Sequence, residues 1–456
     1  MTRDEAFAIL DMEREQAVEV ILILAQKAEA YDKEHPDVSP TTPSGMIPVY
    51  LKPVRGKRRK RPGRKEGHPG ASRQVPQRID HYQEHTLLSC PECQTPVGEP
   101  INTYCRIIED IPEVKPEVTK HTVHGYWCKT CKKIIYPTVS DALPNAMIGL
   151  RLIVFTAWLH YLVGVSVSNL VRVVSVFSQF KISAGGLTQA WKALANLLTP
   201  LYDHIGHQAA QSAVLHADET GWRLNGKTFW LWCFTTRDFC YYLITKCRGS
   251  PVVKQVLGVL FNGILICDFW GAYNKIDALA KQRCFFHLFT ELVKVDKHNG
   301  SPPWKAFRKK LSRLLKDAIR LSEKQEQMGA NHYDHLKTRL YCRLEQFLTA
   351  SYGDKDAQRL IKRLRRHKQE LFTFLEHPEV SPYNNHAEQQ MRKPVLVRKV
   401  SQQNRSDEGA KTQAVLMSLF RSAELQGHNP IEMILTMAKM AIEKKDLSTV
   451  FLKQAA

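Results

Sequence analysis

The chain has 456 residues, 43% of them apolar, and 65 Lys and Arg against 45 Asp and Glu, for a formal charge of +20. That apolar share excludes a disordered chain, and the length is that of about three domains. The basic excess points to a polyanionic partner, with nucleic acid the default.

Met1-Thr2-Arg3-Asp4-Glu5 has no secretory pattern. The most apolar stretch, 147–171, is interrupted by Arg151 and His160 and does not read as a membrane span. The cysteines number 11, an odd count, and most stand singly in apolar segments, which suits a reducing cytoplasm.

Residues 1–35 contain one amphipathic helix at 4–34, with Phe7, Leu10, Val18, Ile21 and Leu24 on its apolar side. Docking on its own chain and self-association are both open readings. Residues 36–85 are a linker that carries a basic arm: Arg55, Lys57, Arg58, Arg59, Lys60, Arg61, Arg64 and Lys65. Such a run is either a solvated arm or one that contacts phosphates, and phosphate contact is salt-sensitive and largely blind to sequence.

Residues 86–140 hold two C-x-x-C knuckles, Cys90 with Cys93 and Cys128 with Cys131. Four thiolates are what one tetrahedral structural zinc needs, with a redox pair or two unrelated dithiols as the alternatives. The long insert between the knuckles reads as strands at 103–108 and 118–123. Residues 145–205 read as helical. Ser166 to Phe177 and Gly186 to Leu198 form a helix–turn–helix-like pair, which either enters a major groove or simply packs.

From 213 the pattern changes to strands. A strand at 213–218 delivers Asp218 and breaks at Gly221. Hairpin strands follow at 228–235 and 239–246, then a helix at 251–258. A strand at 263–268 delivers Asp268, followed by a helix at 272–280 and a short strand at 282–286. Residues 302–376 are helical and very basic. Glu388 comes next, ahead of Arg392, Arg398 and Lys399, and helices at 408–425 and 430–443 lead to a polar tail.

Asp218 and Asp268 lie 50 positions apart, each at the end of an apolar run. With Glu388 they can hold two hard divalent cations for in-line phosphoryl transfer. Successive strand residues point to opposite faces, so Glu219 faces away from the metals and makes a structural bond or an ion pair, with Arg223 the nearest cation. Cys284 and His287 are only two metal-type ligands, and read as a buried structural pair or a histidine reaching phosphate. Trp270 and Tyr273 read as core by default, with base stacking as the alternative.

With these motifs placed, the chain resembles the IS66-family transposases over nearly its whole length. The likeness rests on Gly63-Arg64-Lys65-Glu66-Gly67-His68-Pro69-Gly70, the four-cysteine unit, His216 to Trp222, Cys267-Asp268, Asn385-His386-Ala387-Glu388, Arg398-Lys399, Ser406 and Gly409-Ala410. The resemblance implies an α/β multidomain fold. Its ribonuclease-H-like catalytic domain spans 213–428 with a mostly helical insertion at about 302–376, and a zinc-binding unit and a helical DNA-binding region precede it. Residues 429–456 form a C-terminal helix and tail.

It further implies a DDE triad of Asp218, Asp268 and Glu388 that uses two magnesium (or manganese) ions, besides one structural zinc. The implied partners are double-stranded DNA at element ends and target, further copies of the chain on that DNA, and accessory proteins of the same element. Arg392, Arg398 and Lys399 join the arm as DNA-contacting residues. No membrane is implied, and the expected location is the prokaryotic cytoplasm, at the nucleoid. One departure stands out: Gln389 occupies the position where the family pattern has an arginine. A DNA nuclease without strand transfer and a non-catalytic DNA-binding regulator are the rival readings. The regulator would be expected to lose an acid, and all three are present.

Overall fold

A computed structural model describes residues 15–23, 26 and 75–446. The basic arm, most of the N-terminal helix and the tail lie outside these residues. Within them, 15–23 are helical, and no helix is long and apolar enough to cross a membrane.

Strands β1 (Tyr126–Cys128) and β2 (Lys133–Ile135) pair antiparallel around the second cysteine knuckle. The strands expected at 103–108 and 118–123 do not form, and residues 101–127 are all exposed. Their alternating apolar residues find no second layer to bury against, and an unsupported ribbon is marginal in water.

Three helices follow: α1 (Leu150–Trp158), α2 (Val167–Phe177) and α3 (Ala184–Gln211). Ser166 caps α2 by accepting from Asn169 N, and Ser183 caps α3 by accepting from Gly186 N. The pair expected to form a groove-reading unit is therefore helical. However, α3 runs on for 28 residues and buries Leu187, Trp191, Leu194, Leu198, Leu201 and Ile205. That stripe is committed to the same core as the sheet.

The sheet contains β3 (Val214–Leu224), β4 (Lys227–Thr235), β5 (Cys240–Thr245), β6 (Leu260–Cys267) and β7 (Asp277–Arg283). Its order is β5-β4-β3-β6-β7. The first three strands form an antiparallel meander, while β6 and β7 run parallel to β3. Helix α4 (Ser250–Leu257) makes the crossover between the two halves.

Two expectations are corrected here. Strand β3 does not break at Gly221. It continues to Leu224 and turns on Asn225-Gly226, whose φ values of 45° and 72° fit the two-residue turn that matches strand twist. Residues 277–283 are not part of a helix: a short 3₁₀ turn, Gly271–Lys275, leads into β7. The Asp-Ala-Leu-Ala-Lys composition favours a helix locally, and parallel pairing with β6 overrides it. Within β6, Gly263 is required by close approach, since a Cβ there would lie 2.1 Å from the Ser212 carbonyl oxygen.

Beyond β7 come α5 (Phe285–Asp296), α6 (Pro302–Ser322), α7 (Ala330–Thr349) and α8 (Lys355–Arg366), then α9 (Asn385–Ser401), α10 (Asp407–Leu425) and α11 (Pro430–Ile442). Two cores meet at the sheet. Phe261, Leu265 and Cys267 of β6 enter one core with α1, α3, α10 and α11. Ile264 and Ile266 enter the other with the inserted helices α5–α8. Helix α10 covers the free edge of β5, where Ser418 Oγ and Ser422 Oγ accept the Tyr242 and Cys240 amides. That protects an otherwise open strand edge.

Candidate active site

The parallel register of β3 and β6 pairs His216 with Ile266. Carried two residues further, it sets Asp268 beside Asp218, and alternation puts both on one face of the sheet. Asp218 Oδ1 accepts the Glu219 amide at 2.9 Å, and Asp268 Oδ1 accepts the Trp270 amide at 2.8 Å. Burial raises the Asp218 carboxyl well above its ordinary value, and the charges of Glu219, Asp268 and Glu388 add to this. A buried acid among like charges is an environment that favours a bound cation.

Glu388 arrives in the first turn of α9. Buried Asn384, just before the helix, fixes its approach. Asn384 Nδ2 donates to the Ala217 carbonyl at 2.8 Å, and its amide donates to Cys284 Sγ at 3.2 Å. His386 Nε2 lies 2.5 Å from the Thr236 carbonyl oxygen and 3.2 Å from Thr235 Oγ1. The start of α9 is thus held at β3 and at the end of β4. Gln389 is exposed.

Asp268 has its own anchor. Arg283, fully buried, donates to the Asp268 carbonyl at 2.7 Å, to Asn274 Oδ1 at 2.9 Å and to Glu370 at 2.6 Å. Although burial pushes Glu370 up, His367, Arg283 and Lys281 hold its carboxyl down to about 2. Neither Asn384 nor Arg283 stands out in the sequence, because each acts through partners far away along the chain.

Glu219 points away from Asp218. Its carboxylate takes Arg248 at 3.0 Å and the Tyr273 hydroxyl at 2.7 Å, while Arg223 donates instead to the Gly226 carbonyl. The expected pairing with Arg223 is therefore replaced by Arg248. The Arg248 guanidinium lies 4.2 Å from the Trp230 ring and 3.8 Å from the Trp270 ring. Tyr273 is fully buried and belongs to packing, whereas Trp270 is half-buried with Arg248 over its ring.

The three carboxylates do not form one tight ligand group. Among the described residues, the one set of three or more metal-type ligands lying within 4.8 Å of one another is Cys284, His287 and Glu388. Arg398 turns inward to the Gly221 carbonyl and to Thr220 Oγ1, and burial lowers its pKa. Arg392 and Lys399 are exposed.

In the cysteine unit each knuckle is a tight turn. Gln94 N donates to the Cys90 carbonyl at 2.8 Å, and Cys131 N donates to Cys128 Sγ at 3.4 Å. Bonds to Thr95, together with that from Cys90, lower the Cys93 thiol to about 7. Such turns suit a metal thiolate, although the four sulfurs are not gathered into one cluster.

Residues 145–412 match the Transposase IS66 family. The chain belongs to the IS66 transposase family. The match begins just before α1 and ends within α10, so it takes in Asp218, Asp268 and Glu388, all of the second core and most of the first. Residues 88–132 match the zinc-finger binding domain of transposase IS66, which covers all four knuckle cysteines and lies N-terminal to the transposase domain. Comparison with curated proteins gives no match. This IS66 transposase thus combines a zinc-finger unit with a mixed α/β domain built around a five-stranded sheet.

Proposed function

We propose that this transposase cuts DNA at insertion-sequence ends and joins the freed 3′-hydroxyl to target DNA, with Asp218, Asp268 and Glu388 as its catalytic acids. The observation that carries the reading is the parallel β3–β6 register, His216 opposite Ile266, which continued by two residues supports Asp218 and Asp268 as neighbours on one face of the sheet. The strand order, an antiparallel meander followed by two parallel strands, supports a ribonuclease-H-like catalytic domain at 213–428 with the helices between β7 and α9 as an insertion.

Two magnesium or manganese ions, when bound, would activate the attacking oxygen and stabilise the leaving one. Asp218 and Asp268 supply oxygen ligands from neighbouring strands, and Glu388 supplies its own from α9. Arg283 keeps the Asp268 backbone in place, and Asn384 with His386 keep the start of α9 against the sheet. No covalent protein nucleophile is needed, since both steps are displacements at phosphorus by water or a hydroxyl.

In this reading one structural zinc is held by Cys90, Cys93, Cys128 and Cys131. The basic arm at 55–65, with exposed Arg392 and Lys399, contacts DNA phosphates. Further copies of the chain assemble on the element ends.

The test is a strand-transfer assay with a pre-cut element end and free target DNA in magnesium. Joined product that is lost in Asp218→Asn is the expected outcome. Cleavage without any joining would reduce the protein to a nuclease, and an active Asp218→Asn would remove the proposed triad.

A further inference from the structure

The N-termini of α5 and α9 meet one residue away from Asp268. Cys284 N donates to the Cys267 carbonyl at 2.8 Å, and Phe285 N donates to the Pro382 carbonyl at 2.9 Å. The Asn384 amide donates to Cys284 Sγ. This stitching brings Cys284, His287 and Glu388 together, with one ligand atom of each within 4.8 Å of the others.

His287 Nδ1 and Glu388 Oε1 are both shielded from solvent and have no hydrogen-bond partner. They face each other at 3.9 Å, too far apart for a hydrogen bond. Folded proteins rarely leave two facing buried polar atoms unsatisfied. Two ligand atoms at bond lengths of about 2.0–2.2 Å in a tetrahedral site lie about 3.3–3.6 Å apart, so the pair has to close by only a few tenths of an ångström to hold an ion. Both residues lie in first turns of their helices, on short backbone stretches fixed by the bonds above.

We propose that Cys284, His287 and Glu388 form a binding site for a zinc-class divalent ion, separate from the four-cysteine unit. One thiolate, one imidazole and one carboxylate suit zinc or cobalt, whereas magnesium selects oxygen ligands. Three protein ligands leave a further coordination position for a water or phosphate oxygen. The site shares Glu388 with the proposed catalytic set, so its role in the reaction rests on that reading. An ion held here draws Glu388 toward α5 and competes with the sheet aspartates for it. Its existence does not depend on catalysis.

The probe is cobalt, titrated into full-length protein whose four-cysteine unit is already loaded with zinc. The readouts are bound cobalt per chain and the sulfur-to-cobalt charge-transfer absorption. The wild type should take up one cobalt with that absorption. Cys284→Ser should lose the absorption, and His287→Ala and Glu388→Gln should weaken cobalt binding by about tenfold or more. Asp218→Asn should bind cobalt as the wild type does.

Equal cobalt uptake by the wild type, His287→Ala and Glu388→Gln would overturn the site and leave the facing atoms to a water molecule. His287 is partly exposed, so its variant answers the question even where Cys284→Ser fails to fold. An Asp218→Asn protein that still cleaved DNA would sink the catalytic reading while leaving the cobalt result intact.

Discussion

His216 Nδ1 lies 2.9 Å from Asn384 Oδ1, and this contact ties the strand that carries Asp218 to the helix that carries Glu388. Asn384 spends its Nδ2 on the Ala217 carbonyl, so its oxygen must accept and His216 must donate. Burial pushes the His216 pKa down to about 4, which keeps the ring neutral with its proton on Nδ1. Asn384→Ala removes this clamp and leaves buried groups unpaired. It should cost about 2–4 kcal/mol of stability and reduce cleavage more than DNA binding. Thermal melts paired with cleavage at matched DNA occupancy check it; an unchanged cleavage rate would mean that the clamp does not position Glu388.

Arg283 holds Glu370 and the backbone of Asp268 at once. Arg283→Met should remove the buried guanidinium from Glu370, leaving it His367 and Lys281, and take away the donor to the Asp268 carbonyl, at a cost of about 3 kcal/mol, the low end for breaking a buried pair. The pH behaviour follows from the depressed Glu370 pKa. A carboxyl at about 2 in the fold, against an ordinary 4.5, contributes stability that is complete above pH 4.5 and is lost as pH falls toward 2. Urea midpoints measured across that window should therefore fall more steeply for the wild type than for Glu370→Gln. Parallel curves would contradict the assignment.

Removing zinc should loosen residues 88–132 and leave the sheet domain folded, because that unit has no core of its own. Its residues from 101 to 127 are all exposed, while both cores are built from residues 143–438. Protein purified without chelator should contain zinc. After chelation, limited proteolysis should cut within 88–132 and spare 145–446. Protein free of zinc from the start would remove the proposal.

Much of the sheet domain was legible. The hairpin expected at 228–235 and 239–246 is Lys227–Thr235 with Cys240–Thr245, and the helix expected at 251–258 is Ser250–Leu257. Apolar alternation and Thr236-Arg237-Asp238 marked them. Strand β3 runs past Gly221, which in the sequence alone reads as a breaker. The Asn225-Gly226 pair carried the true turn signal and was available in the sequence. Strand β7 was not legible, since its residues favour a helix and only β6 makes them a strand. Asn384, Arg283, Arg248 and Asn404 were missed for one shared reason. Each is a single polar residue whose partners are set by the fold: Asn404, for example, accepts from Trp222 Nε1 at 2.7 Å and receives the Asn225 amide on its carbonyl at 2.8 Å.

Glu219 is the built-in control for Asp218. Its side chain is 2% exposed and is spent on Arg248 and Tyr273, on the opposite face of β3. Burial and the Asp268 charge push its carboxyl up to about 8, against the opposing pull of Tyr273 and Arg248. A raised carboxyl acts opposite to Glu370. The unfolded chain releases the proton near 4.5 while the fold keeps it until about 8, so stability falls as pH rises through that window. The slope is on the order of 1 kcal/mol per pH unit. Glu219→Gln should flatten it, as read from urea midpoints between pH 5 and 8. In magnesium, at matched DNA occupancy, Glu219→Gln should retain at least about tenfold more cleavage than Asp218→Asn, Asp268→Asn or Glu388→Gln, a difference of about 1.4 kcal/mol in barrier. A dead Glu219 variant beside an active Asp218 variant would reverse the faces of β3, and the proposed triad would fall with them.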